Sequence, residues 1–168
     1  MGGKGRSSAA WRRLVCKNSI GKLFVNANMQ MLLTSLLFPN IVSYIDELDA
    51  NHSRAEELFR ILGRDRVVSQ LTLVELASVY SRAGLEKPLS LGYYSVKRVG
   101  ARIIDVDFNK VLIEALRLAP VLGLRSLDLL HITACKLIGA SVFATFDKDI
   151  ISKADKIKTI GISVIVKP

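Results

Sequence analysis

An α/β fold, a three-layer α/β/α arrangement with a parallel sheet, is what this 168-residue chain predicts. Three observations carry that expectation. Short apolar strands alternate with amphipathic helices along most of the chain, the pattern of βαβ units. Half of the residues are hydrophobic, enough for one domain with a real core and too many for a disordered chain. Acids recur where strands end and helices begin, and in open parallel sheets that edge is where sites form.

The elements follow in order. Residues 29–33, or a longer run from Leu23, read as a first strand. Residues 36–48 are apolar at helical spacing, and Pro39 is acceptable in a first turn. Ser53 and Glu56 have capping-box spacing and predict a helix to about Leu62, with Gly63 as its stop. Residues 67–69 form a short strand. Thr72 and Glu75 repeat the capping-box spacing and predict a helix from Thr72 to Arg82. Residues 88–100 read as helix and 102–106 as strand. Asp107 caps a long helix to Leu122. Ser126 caps the next, on which Leu127, Leu130, His131, Ala134, Cys135 and Ile138 share one face. A strand at 142–144, a short helix at 149–154 and a last strand at 162–166 complete the chain.

Of the formal charge of +9, +6 falls in the first 28 residues, which hold Lys4, Arg6, Arg12, Arg13, Lys17 and Lys22 and no acid. The remainder carries only +3, which permits a polyanionic partner without demanding one. Residues 1–28 therefore read as a basic flexible arm or an upstream extension, and residues 29–168 as the folded domain. Cys16 and Cys135 are too far apart in kind and place to make a disulfide framework or a zinc site, which fits a reduced, cytoplasmic setting. The longest apolar stretch, residues 29–45, is broken by Gln30, Thr34, Ser35, Pro39 and Asn40. It predicts neither a membrane span nor, lacking a small-residue cleavage site, a cleaved signal.

Three acids stand out. Glu75 follows the strand at 67–69, Asp128 lies in the first turn of its helix, and Asp147 follows the strand at 142–144. Clustered carboxylates hold a hard divalent cation well, because they repel one another and supply the oxygens such an ion prefers. Each also has a plainer explanation: a capping-box partner for Glu75, a helix-dipole contact for Asp128, a solvated turn for Asp147. Asp149 can be an auxiliary acid or the cap of its short helix. His131, one turn after Asp128 on the apolar face, reads as a hydrogen-bonded core histidine, and His52 as a surface residue. Arg82, Lys97, Arg98 and Arg102 are scattered solvated charges or a rim for phosphates. Tyr93 and Tyr94, beside basic residues, suit a partner face or the core.

Val68-Ser69-Gln70-Leu71-Thr72-Leu73-Val74-Glu75-Leu76, then Leu127-Asp128-Leu129-Leu130-His131-Ile132-Thr133-Ala134, then Ala144-Thr145-Phe146-Asp147-Lys148-Asp149, resemble the PIN-domain ribonucleases. The nearest group is the VapC toxins of toxin–antitoxin pairs. The resemblance spans roughly residues 29–166 with the motifs in the family's order. It implies a PIN-like fold and four acids that hold one or two Mg²⁺ or Mn²⁺ ions, which activate water to cut RNA into 3′-hydroxyl and 5′-phosphate ends. Motif by motif it assigns catalytic and metal-binding roles to Glu75, Asp128 and Asp147. Asp149 becomes an auxiliary metal ligand and Thr145 the supporting hydroxyl. The family's first acid, at the end of the first strand, is absent. Leu33 or Asn26 stands in its place, so the site is expected to bind metal weakly. The expected partners are RNA, a small antitoxin and a second copy of the chain, with no membrane. Two other readings stay open: a PIN-fold binding or regulatory module without catalysis, and an RNA-processing nuclease without an antitoxin.

Overall fold

The computed structural model describes residues 34–36 and 38–165. The expected first strand at 29–33, the basic arm at 1–28, and both Leu33 and Asn26 lie outside them. Five short strands make one sheet: β1 (Thr34–Leu36), β2 (Arg66–Ser69), β3 (Ala101–Ile104), β4 (Val142–Ala144) and β5 (Ser163–Ile165). Their order is β3-β2-β1-β4-β5 and every pairing is parallel, with Ser35 of β1 opposite Val67 on one side and Phe143 on the other. The helices are α1 (Phe38–Ile45), α2 (His52–Ile61), α3 (Gln70–Arg82), α4 (Pro88–Arg98), α5 (Phe108–Leu122), α6 (Ser126–Ile138), α7 (Lys148–Ile151) and α8 (Ala154–Lys158).

The period-2 alternation of strand side chains divides the core in two. Val68 and Ala144 face a cluster with Ile41, Leu58, Phe59, Leu76, Tyr80, Leu91 and Val96, so α1–α4 cover one side of the sheet. Their neighbours Val67 and Phe143 face the opposite cluster, with Leu118, Leu122, Leu129, Ile132, Cys135, Ile150 and Ile157, so α5–α8 cover the other. This is the expected three-layer α/β/α architecture. Within the first layer α3 and α4 approach closely: a Cβ on Gly92 would meet Leu73 Cδ1 at 3.0 Å, so a larger residue there would require that side chain to shift. Within the second, Lys136 Nζ of α6 donates to Glu114 Oε1 of α5 at 2.6 Å. Asp107 caps α5 as its sequence position predicts, accepting from the backbone N–H of Asn109 and Lys110.

Several local expectations are corrected. Neither capping box forms. Helix α2 begins at His52 and α3 at Gln70, so Ser53 and Thr72 fall inside helices, and Thr72 is buried. Glu56 pairs instead with His52, one turn earlier, at 3.6 Å, and Glu75 is released for another partner. Ser126 is the first residue of α6 rather than its cap, which is Arg125. The inward side of α6 is also wider than a single stripe: residues 131–135 are all buried, while Leu127 is 44% exposed. The chain after β4 makes two short helices, not one at 149–154, because Asp147 caps α7 early. Among the described residues, no helix is long and apolar enough to cross a membrane.

Candidate functional site

Every strand being parallel, all carboxyl ends lie along one edge, and the helices that leave that edge start there. Helix α3 leaves β2 directly and carries Glu75 one and a half turns in. The chain leaving β4 turns through Thr145 and Phe146 to Asp147. Helix α6 comes from the opposite layer and brings Asp128 in its first turn and His131 one turn further. Lys97 and Arg98 instead end the helix that leads into β3, so they lie at the amino edge, away from these acids.

Glu75 and His131 meet across the two helical layers. His131 Nε2 and Glu75 Oε2 are 2.7 Å apart, with side-chain exposures of 3% and 14%. Neither atom is reached by solvent or has any aligned hydrogen-bond partner, so each has only the other's proximity. The histidine lies in the core, as its place on the apolar face predicts, but its Nε2 makes no aligned hydrogen bond; it lies against the acid that the capping box would have consumed.

The other acids sit near the surface. Burial raises the pKa of Asp128 and the negative charge of Asp147 raises it further; His131 and then Arg125 pull it down, and Asp149 adds the smallest upward push. Asp128 makes no hydrogen bond or ion pair among the described residues. Asp147 Oδ1 accepts from the backbone N–H of Asp149 at 2.8 Å and of Ile150 at 3.4 Å, leaving Oδ2 uncommitted. Buried Thr145 shapes that turn, its Oγ1 accepting from Asp147 N at 2.9 Å. Asp149, half-exposed, is ion-paired to the exposed guanidinium of Arg125.

Two residues near this edge are not among the site residues that the sequence predicts. Arg125 stands just before α6 and so beside Asp128. Asn40 does more than interrupt an apolar run. It is fully buried, donates Nδ2 to Ala144 O at 2.8 Å across to the end of β4, and leaves Oδ1 without a partner. The available signal was a polar amide one residue after Pro39 in an otherwise apolar helix start.

Among the described residues, no three His, Cys, Asp or Glu side chains converge closely enough to hold a metal ion by themselves. The donor chemistry still fits a hard divalent cation. Asp128 and Asp147 lie close enough to repel, and small hard cations are commonly held by one or two carboxylates, with waters and substrate phosphate completing the shell. The chain contains no Asp or Glu before Asp46.

The sequence matches the family model of the PIN domain over residues 40–157. No curated protein sequence matches the chain. Among solved structures, the fold is similar to VapC20 of Mycobacterium tuberculosis, a toxin that cleaves the sarcin–ricin loop. There the TM-score is 0.58 at 14% identity, over 80% of this chain and 99% of that one. It is similar to a chain of VapBC-1 from nontypeable Haemophilus influenzae, with a TM-score of 0.57 at 14% identity, over 80% of this chain and 97% of that one. It is also similar to a chain of VapBC2 from Rickettsia felis, solved bound to a DNA fragment from their promoter. That match has a TM-score of 0.53 at 17% identity, over 79% of this chain and 97% of the other.

Proposed function

This chain belongs to the PIN domain family, and from that premise we propose that it is a Mg²⁺- or Mn²⁺-dependent endoribonuclease of the VapC type, weakened by the loss of its first acidic ligand. By family it is a nuclease of the class that hydrolyses phosphodiester bonds. The observation that carries the finer reading is the crowding of Asp128 by Asp147 and Asp149 at the carboxyl edge of the sheet, where burial and like charge together resist ionisation. A group held in that state gains most from a cation. Asp128 and Asp147 Oδ2 would hold the ion, with Glu75 Oε1 as a further oxygen. When bound, such an ion neutralises charge developing on the scissile phosphate and makes a water molecule more acidic.

The chain's own residues divide the remaining work. Thr145 and the first turn of α7 fix Asp147, so its free oxygen has one orientation. Arg125 lies at the solvent side of the acids and is placed to meet an RNA phosphate, exchanging its Asp149 partner for the substrate. With only two close carboxylates, Asp128 and Asp147 would hold a cation weakly by themselves, and an RNA phosphate would supply further oxygens. A small antitoxin partner is part of the same proposal, supported by the similarity to chains from VapBC assemblies, and a homodimer is proposed with it from the family resemblance alone.

A second reading has its own observation. A site with no acid before Asp46 and no three converging ligands also suits a PIN-fold module that binds without cutting. Cleavage of single-stranded RNA in Mn²⁺ separates the two. The nuclease reading expects slow cleavage that Asp128→Asn reduces roughly 100-fold or more. It also expects Leu33→Asp or Asn26→Asp, which restores an acid at a position the resemblance assigns to the first ligand, to accelerate cleavage. Cleavage indifferent to Asp128→Asn, or absent from the parent and from both restored variants, leaves the binding module standing.

A further inference from the structure

We propose that His131 is a positioning residue for Glu75, holding one carboxylate oxygen so that the other alone faces the open edge of the site. The proposal rests on the metal-dependent reading above and deepens it.

The geometry carries the argument. Helix α3 belongs to the layer built on Leu76 and Tyr80, and α6 to the layer built on Leu129, Ile132 and Cys135. Among the described residues, they meet in a polar contact at His131 Nε2 against Glu75 Oε2, at 2.7 Å. A histidine needed only to fill space would be replaced at less cost by an apolar side chain, since a buried polar atom without a partner is destabilising. Here both buried atoms lack any alternative, so each constrains the other. Glu75 Oε1 has no protein partner among the described residues. A glutamate has three rotatable side-chain bonds, and solvent gives no preference for the orientation that a ligand needs. Holding Oε2 on a ring that is itself packed within α6 removes that freedom before any ligand arrives. Residues behind a ligating carboxylate commonly act this way, and their loss weakens metal binding without removing a ligand.

His131 lies three residues after Asp128, on the same side of α6. A single helix thus supplies one acid of the edge and the ring that orients another acid from the opposite layer.

The test uses the full chain and reads Mn²⁺ binding by electron paramagnetic resonance, with a single-stranded RNA oligomer present. His131→Phe, with thermal melting checked by circular dichroism, should weaken Mn²⁺ binding roughly 10-fold. His131→Gln, whose amide nitrogen reaches about as far as Nε2, should recover most of the loss. If His131→Phe does not fold, His131→Asn serves in its place, because its amide is too short to reach Glu75. Mn²⁺ affinity equal to the parent's in the Phe or Asn variant, while Glu75→Ala weakens it, overturns the positioning role and leaves the metal reading intact. Equal weakening in the Gln variant also overturns it, since it assigns the effect to packing. No Mn²⁺ binding by the parent, or binding that Asp128→Asn leaves unchanged, overturns the metal reading and this proposal with it.

Discussion

Glu75 and Asp149 are acids at the same edge of one sheet, and each lies against a side chain able to carry positive charge. The contact of Glu75 with His131 is buried to 14% and 3% exposure, whereas Asp149 and Arg125 are 51% and 77% exposed. Water screens the second pair and competes for both partners, so its geometry is one of many that cost nearly the same. The first pair has no such alternatives, and its geometry is imposed by the packing of α3 and α6. A buried contact at a site fixes where an atom is, and an exposed one leaves a partner available for exchange. The two suit different tasks: orienting a ligand in one case, meeting a substrate in the other.

The largest consequence is a difference in coupling. A double-mutant cycle between Glu75→Ala and His131→Ala should yield about 1–3 kcal/mol, because either single change removes the polar group that the other's buried atom lies against. A coupling near zero in chemical denaturation would remove the contrast at its root.

Asp128 lies between the two extremes and sharpens the comparison through pH. Its folded pKa is raised above the ordinary carboxylate value, first by burial and then by Asp147. Between those two values the folded chain holds a proton that the unfolded chain has lost, so stability falls as pH rises through that window. Asp128→Asn removes the penalty. The variant should melt higher than the parent at pH 7, and the gain should vanish below the ordinary carboxylate pKa. A variant that melts lower at pH 7 would show that Asp128 is stabilised rather than strained by its surroundings.

The smallest effect belongs to the exposed pair. The same cycle between Arg125→Ala and Asp149→Ala should give less than about 1 kcal/mol and decline further with added salt, as expected of a screened surface pair. A coupling as large as that of the buried pair would mean that the exchange assigned to Arg125 is too costly to occur.

The fold was legible where local chemistry and tertiary packing agree. Asp107 caps its helix in sequence and structure alike, since an acid before a long amphipathic run has no competing role. The capping boxes at Ser53 and Thr72 failed for the opposite reason. Their spacing is a local preference of about 1 kcal/mol, and the direct passage from β2 into α3, with Thr72 buried against the core, outweighs it. The breadth of the buried side of α6 was likewise invisible to periodicity, because it depends on what packs around the helix and not on the helix itself.

By itself the sequence determined the alternation of strands and helices, the parallel sheet that follows from it, and the acids Glu75, Asp128 and Asp147 near strand ends, since these depend on pattern and order along the chain. It also determined that no acid precedes Asp46, whichever residue ends the first strand. Only the tertiary structure decided that Glu75 would face His131, that Arg125 would hold Asp149 and that Asn40 would reach Ala144. These partners are far apart in the chain or belong to opposite layers. Their meeting is set by how two helical layers close over one sheet, and no local spacing encodes that distance.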